Sequence, residues 1–203
     1  IKVTGPIYSV MMFEIYLLEI INETYFRIKY EDIYDDIIAS AKEKLDAKIK
    51  AFQDGKYTFR WAEFGCRRRL SSEWEETVVK RFANETNNMV GTSNVYLCMK
   101  YNLMPVGTYA HEYVQMYQGI SGSAALSNKL AMEEWYDEFE GDNGTALTDT
   151  LTTDLFLKDF DYRMANTFTG VRHDSGDPYE WGEKMIKHYE KLGINPRTKT
   201  LLF

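Results

Sequence analysis

The chain has 203 residues, 44% of them hydrophobic, 15% aromatic and 27% charged, enough to bury one sizeable core or two small ones, with one domain the better expectation, and too apolar for a disordered segment. A formal net charge of −7 excludes a protein whose main task is to coat phosphate backbones, so nucleic acid is not an expected partner. No run reaches the ~18 consecutive apolar residues of a membrane span, and Cys66 and Cys98, far apart in the chain, suggest neither a disulfide framework nor a zinc knuckle and fit a reducing, cytoplasmic setting.

From Ile7 to Asp54 apolar residues recur at helical spacing, first in MMFEIYLLEIINETYF, where Glu14 and Glu19 interrupt the apolar run, and then in YDDIIASAKEKLDAKIKAF. Asp54-Gly55 closes this part. Beyond it, short runs rich in β-branched, aromatic and small apolar residues alternate with amphipathic stretches, the rhythm of an α/β fold. Strands are expected at 58–64, 89–91, 106–109, 145–149, 170–173 and 200–203. The intervening helices are expected at 72–83, 94–101, 112–118, 123–140, 152–167 and 178–192. Ser71 or Ser72, Asp149 and Asp177 are the expected caps, and Pro178 suits a first helical turn. The sequons at Asn22, Asn84 and Asn143 are short enough to arise by chance. The chain opens on IKVTGPIYSV, without a methionine or a basic leader, and stops on TKTLLF. Both ends are therefore expected to be cut, with residues 1–203 forming a single, partial domain.

Parallel strands joined by helices form either an open sheet or a barrel. The polar strings FGCRRR, GTSN, GTYAHE, TDT and VRHDSGD each follow an expected strand, the edge where both architectures bind ligands, and this placement favours a barrel-like arrangement. His111, one of three histidines, follows a Gly107-Thr108 turn and opens a helix. Backbone N–H groups there suit an anion, and a neutral imidazole is a competent nucleophile toward phosphorus. The plainer reading is a structural histidine held by a carboxylate. In VRHDSGDP, Asp177 serves as a cap, Arg172 offers a planar fork to phosphate, and Asp174 suits a sugar hydroxyl or a phosphate-bound magnesium ion. Gly176 would allow close backbone approach to such a ligand. Phe64 and Arg67 put a ring and a guanidinium three residues apart, a pair that suits a planar aromatic acid, although a solvated charge run competes as an explanation of RRR. The string GTSN is also an ordinary turn with a helix cap.

Taken together and in order, FGCRRRLSSEW, GTSNVYLCMKY, GTYAHEY, GDNGTALTDTLTTD and GVRHDSGDPYEWGEK resemble the nicotinate phosphoribosyltransferase family over nearly the whole chain, from about Thr4 onward. The resemblance implies an irregular α/β barrel of the type II phosphoribosyltransferase kind. It implies conversion of nicotinate and phosphoribosyl pyrophosphate to nicotinate mononucleotide and pyrophosphate, coupled to ATP hydrolysis, within NAD biosynthesis. It further implies a cytoplasmic homodimer that uses Mg2+. Carried over by motif, His111 matches the phosphorylated histidine and Asp149 the carboxylate that holds its ring. Phe64 and Arg67 match the stacking and carboxylate-contacting pair, Thr108 a residue of the nicotinate site, and Arg172 and Asp174 residues around the ribose phosphate. At Ser93 the related nicotinamide enzyme resembles Gly-Thr-Asp, so serine here favours the acid over the amide. The resemblance also implies an amino-terminal domain and a later glycine-containing phosphate loop that these residues lack. A nicotinamide-type enzyme, a metal-dependent barrel hydrolase using His111, Asp149, His173 and Asp174, and a non-catalytic nucleotide-binding fragment remain as alternatives.

Overall fold

The apolar periodicity that begins at Ile7 yields two helices in the computed structural model, which describes residues 1–142 and 144–202. They are α1 (Ile7–Lys29) and α2 (Tyr34–Gln53). Helix α2 is conventionally amphipathic and buries Leu45 and Ile49. Helix α1 buries none of its residues. Its polar residues Glu14, Glu19, Asn22 and Glu23 face inward onto the segment after the first strand, the glutamates pairing with Arg67 and Arg69 and Asn22 donating to Arg69 O at 2.7 Å. No helix among the described residues is long and apolar enough to cross a membrane.

The chain divides into two units, Ile1–Gly107 and Thr108–Phe203, each with a three-stranded sheet. In the first unit, β1 (Trp61–Glu63), α3 (Ser72–Glu85), β2 (Met89–Thr92), α4 (Val95–Tyr101) and β3 (Met104–Pro105) follow the two long helices. The strands lie in the order β1-β2-β3 and pair in parallel. Leu45, Ile49 and Phe82 form the core beneath them, with the Trp61 and Phe82 rings edge to face at 4.5 Å. The strand expected at 106–109 lies earlier, at Met104–Pro105. Val106 still donates to Thr92 O at 3.0 Å, but beyond it Tyr109 is 3% exposed in the core of the second unit, edge to face with Trp135. Burial of that ring outweighs continuation of the ladder.

The second unit runs α5 (His111–Ser121), α6 (Ala124–Phe139), β4 (Thr145–Leu147), α7 (Thr153–Asp159), α8 (Tyr162–Thr167), β5 (Gly170–Arg172), α9 (Pro178–Lys191) and β6 (Thr200–Leu202). Its sheet is parallel throughout, in the order β4-β5-β6, and Leu147, Val171, Phe156, Phe168, Met185 and Tyr189 fill a single core. The one helix expected over 152–167 is two. Phe160 is fully buried, Asp161 caps α8 by accepting from Met164 N at 3.0 Å, and the Phe160 carbonyl released at the break is hydrogen-bonded by His188 Nε2 at 2.7 Å. Thr152, not Asp149, caps α7, accepting from Leu155 N at 3.2 Å. Strands alternating with helices and exclusively parallel pairing make the fold α/β, as expected. The sequon position Asn143 and the last expected strand residue, Phe203, lie outside the described residues.

Candidate functional site

Where β4 and β5 end, their next residues converge on the start of α5. His111 is the first residue of α5, which has no side-chain cap. Its Nε2 lies 3.2 Å from Asp149 Oδ1 and 3.8 Å from Asp174 Oδ2. Ser175 Oγ donates to the other oxygen of Asp149. Arg172 spreads its fork, donating to Thr108 Oγ1 at 2.9 Å and Asp174 Oδ1 at 2.6 Å. The imidazole and Asp174 side chains are each about one-third exposed, whereas Asp149 and Arg172 are largely covered. Two carboxylates beside Nε2 favour a proton on that nitrogen, the tautomer whose lone pair is on Nδ1.

The backbone under this cluster is fixed from below. Trp181 Nε1 of α9 donates to Thr148 Oγ1 at 2.9 Å, and that hydroxyl donates to Arg172 O at 3.0 Å. His173 N donates to Leu202 O of β6 at 2.8 Å. The His173 ring packs on Trp181 with centroids 5.2 Å apart, and it is outside the group of His111, Asp149 and Asp174 whose ligand atoms lie within 4.8 Å of one another. Asp177 caps α9 as expected, accepting from Tyr179 N and Glu180 N at 2.8 and 2.9 Å. The chain turns at Gly176 with φ of +91° and open space where a Cβ would stand. That positive φ favours glycine there.

In the first unit, Phe64, Arg67 and Ser93 all follow strand ends. Phe64 is exposed at 41%. Arg67 meets Glu14 of α1 at 2.6 Å beside a groove of about 440 Å3 lined by Glu14, Leu18, Ile21, Asn22, Tyr25, Arg67 and Arg68. Ser93 N donates to Glu63 O at 2.9 Å. The three consecutive arginines have different environments. Arg68 is exposed, while Arg69 is enclosed by Glu75, Glu19 and Glu23 at 2.8, 3.1 and 3.7 Å. Cys66 donates to Glu19 at 3.0 Å, and burial, with that hydrogen bond, pushes its thiol pKa up, so it is a neutral donor and not a nucleophile.

Sequence reasoning missed Ser175, Glu14, Glu63 and the Thr148–Trp181 pair. Only Glu63 had a local signal, a carboxylate immediately before the Phe-Gly step.

Residues 59–203 match the model of the nicotinate phosphoribosyltransferase (NAPRTase) family. The nicotinate phosphoribosyltransferase of Acinetobacter baumannii is 45% identical over 212 aligned positions, covering 100% of this chain and 52% of that protein. That of Ralstonia nicotianae is 42% identical, with 100% and 52% covered. The crystal structure of nicotinate phosphoribosyltransferase from Porphyromonas gingivalis superposes with a TM-score of 0.84 at 35% identity, covering 97% of this chain and 49% of that one. The Vibrio cholerae structure gives 0.80 at 36% identity, with 93% and 45% covered. This chain thus spans about half the length of the relatives it matches. On the family match and these likenesses together, the chain belongs to the nicotinate phosphoribosyltransferase family.

Proposed function

We propose that the whole protein transfers phosphoribosyl from phosphoribosyl pyrophosphate to nicotinate, releasing pyrophosphate and forming nicotinate mononucleotide for NAD biosynthesis, with ATP hydrolysis coupled through phosphorylation of His111. The observation that supports this most is the His111–Asp149 contact with Arg172 and Asp174 alongside. A lone pair on Nδ1 attacks the γ-phosphorus of ATP, forming the N–P bond as the P–O bond to ADP breaks. Asp149 stabilises the imidazolium that results and Ser175 fixes Asp149. Arg172, already forked between Thr108 and Asp174, presents charge to a phosphate, and Asp174 suits a ribose hydroxyl.

In glycosidic transfer the sugar carbon becomes cationic as pyrophosphate leaves, so the chain's contribution is positioning and electrostatics. Phe64 supplies a stacking face and Ser93 a neutral donor for the pyridine acid. Arg67 would pair its carboxylate, and a substrate there competes with Glu14. Two carboxylates with donor atoms within 4.8 Å of the imidazole fit Mg2+ only as part of its shell, phosphates and water giving the rest. Bound there, the ion would neutralise phosphate charge. A homodimer in the cytoplasm is the setting we propose.

Incubating the full-length protein with γ-labelled ATP tests this reading. Acid-labile label should appear on the peptide containing His111, and His111→Asn should abolish both label and ATP-stimulated turnover while ATP-independent synthesis persists. Undiminished ATP coupling in that variant refutes the phosphohistidine.

A further inference from the structure

Glu63 is 7% exposed at the end of β1, and its carboxylate is held there by hydrogen bonds. Both of its oxygens are engaged. One accepts from the N–H of Gly65, and the other accepts from Thr92 Oγ1 at 2.7 Å. Thr92 is fully buried at the end of β2, directly opposite Glu63 in the ladder, and its Oγ1 also accepts from Asn94 N at 3.0 Å. The ladder ends at this pair. Past it, Ser93 N donates to Glu63 O at 2.9 Å.

The side chain therefore bridges the ends of two strands whose following loops carry Phe64 and Ser93, a link that Asn94 Nδ2 reinforces by donating to Cys66 Sγ at 3.7 Å. The carboxylate lies close against the turn: a Cβ on Gly65 would stand 2.6 Å from Glu63 Oε1 and would push it from its present contacts. Burial raises the Glu63 pKa, and the hydrogen bonds from Thr92 and Gly65 pull it back. Such a costly burial of a carboxylate suggests a task that an apolar residue could not perform.

We propose that Glu63 is a positioning residue that sets the spacing between the Phe64 ring and the Ser93 hydroxyl, and thereby the affinity for the pyridine acid. The inference rests on the functional reading above and deepens it. Its test compares Glu63→Ala, Glu63→Gln and Thr92→Val in the full-length protein by steady-state kinetics with each substrate varied. Glu63→Ala and Thr92→Val each remove two hydrogen bonds and should each raise KM for nicotinate about tenfold or more, with kcat and KM for phosphoribosyl pyrophosphate within about twofold. Glu63→Gln should recover most of the loss, because an amide oxygen accepts from Gly65 and its NH2 donates to Thr92. Should Glu63→Ala fail to fold, the near-isosteric Thr92→Val decides alone. Unchanged nicotinate KM in the folded variants, or equal losses for both substrates, overturns the inference alone. Absence of nicotinate turnover in the wild-type protein overturns the functional reading and this inference with it.

Discussion

Ser93 sits one residue beyond β2 with its N–H bound to Glu63 O, so its side chain is carried on a fixed backbone and a change there alters charge more than shape. In the proposed pyridine-acid site, Ser93→Asp would put a carboxylate next to that of nicotinate. In a desolvated site that opposition costs ~2–5 kcal/mol, and KM for nicotinate should rise by about 30-fold or more while phosphoribosyl pyrophosphate binding changes little. Steady-state kinetics with each substrate varied measures it, and equal losses for both would indicate general damage instead. At the same scale, the three arginines of FGCRRR show how little residue type decides. Arg69 is a structural cation among three glutamates, Arg67 pairs with Glu14, and Arg68 is exposed. Two of these fates depend on carboxylates of α1 about fifty positions upstream, which no local pattern could reveal.

At the scale of elements, α9 holds the proposed phosphate site without contributing a residue to it. Its Trp181 reaches across to Thr148, whose hydroxyl holds the backbone carbonyl of Arg172. Trp181→Phe keeps the apolar mass but leaves Thr148 without this donor. It should cost about 1 kcal/mol of stability, the net worth of one hydrogen bond, and should lower turnover through Arg172 rather than through nicotinate binding. Urea denaturation and phosphoribosyl pyrophosphate KM read the two effects separately, and an unchanged KM would detach α9 from the site. The caps at Ser71 and Asp177 were legible because short polar side chains before helical patterns satisfy the first N–H groups. The break between α7 and α8 was not legible, because it depends on burying Phe160 and on His188 taking its carbonyl.

For the whole molecule, the contrast lies between α1, with no buried residue, and the strands of the second unit, where Ala146, Leu147 and Val171 are essentially unexposed. Amides of α1 should therefore exchange with solvent far faster than those of β4 and β5 when this chain is studied by hydrogen-exchange mass spectrometry. Comparable protection in both would show that the polar stripe of α1 holds it as firmly as a core. Periodicity, turn residues and the order of motifs in the sequence were enough to determine an α/β fold, the family, and which strand ends bear polar groups, because these follow from local spacing and chain order. Tertiary structure alone decided that Ser175 reaches Asp149, that Arg69 lies largely covered among carboxylates, and that Glu63 ties two loops together. Each of these depends on groups brought close by folding from positions well apart in the chain, where short-range electrostatics and desolvation, absent from any linear pattern, set what a side chain does.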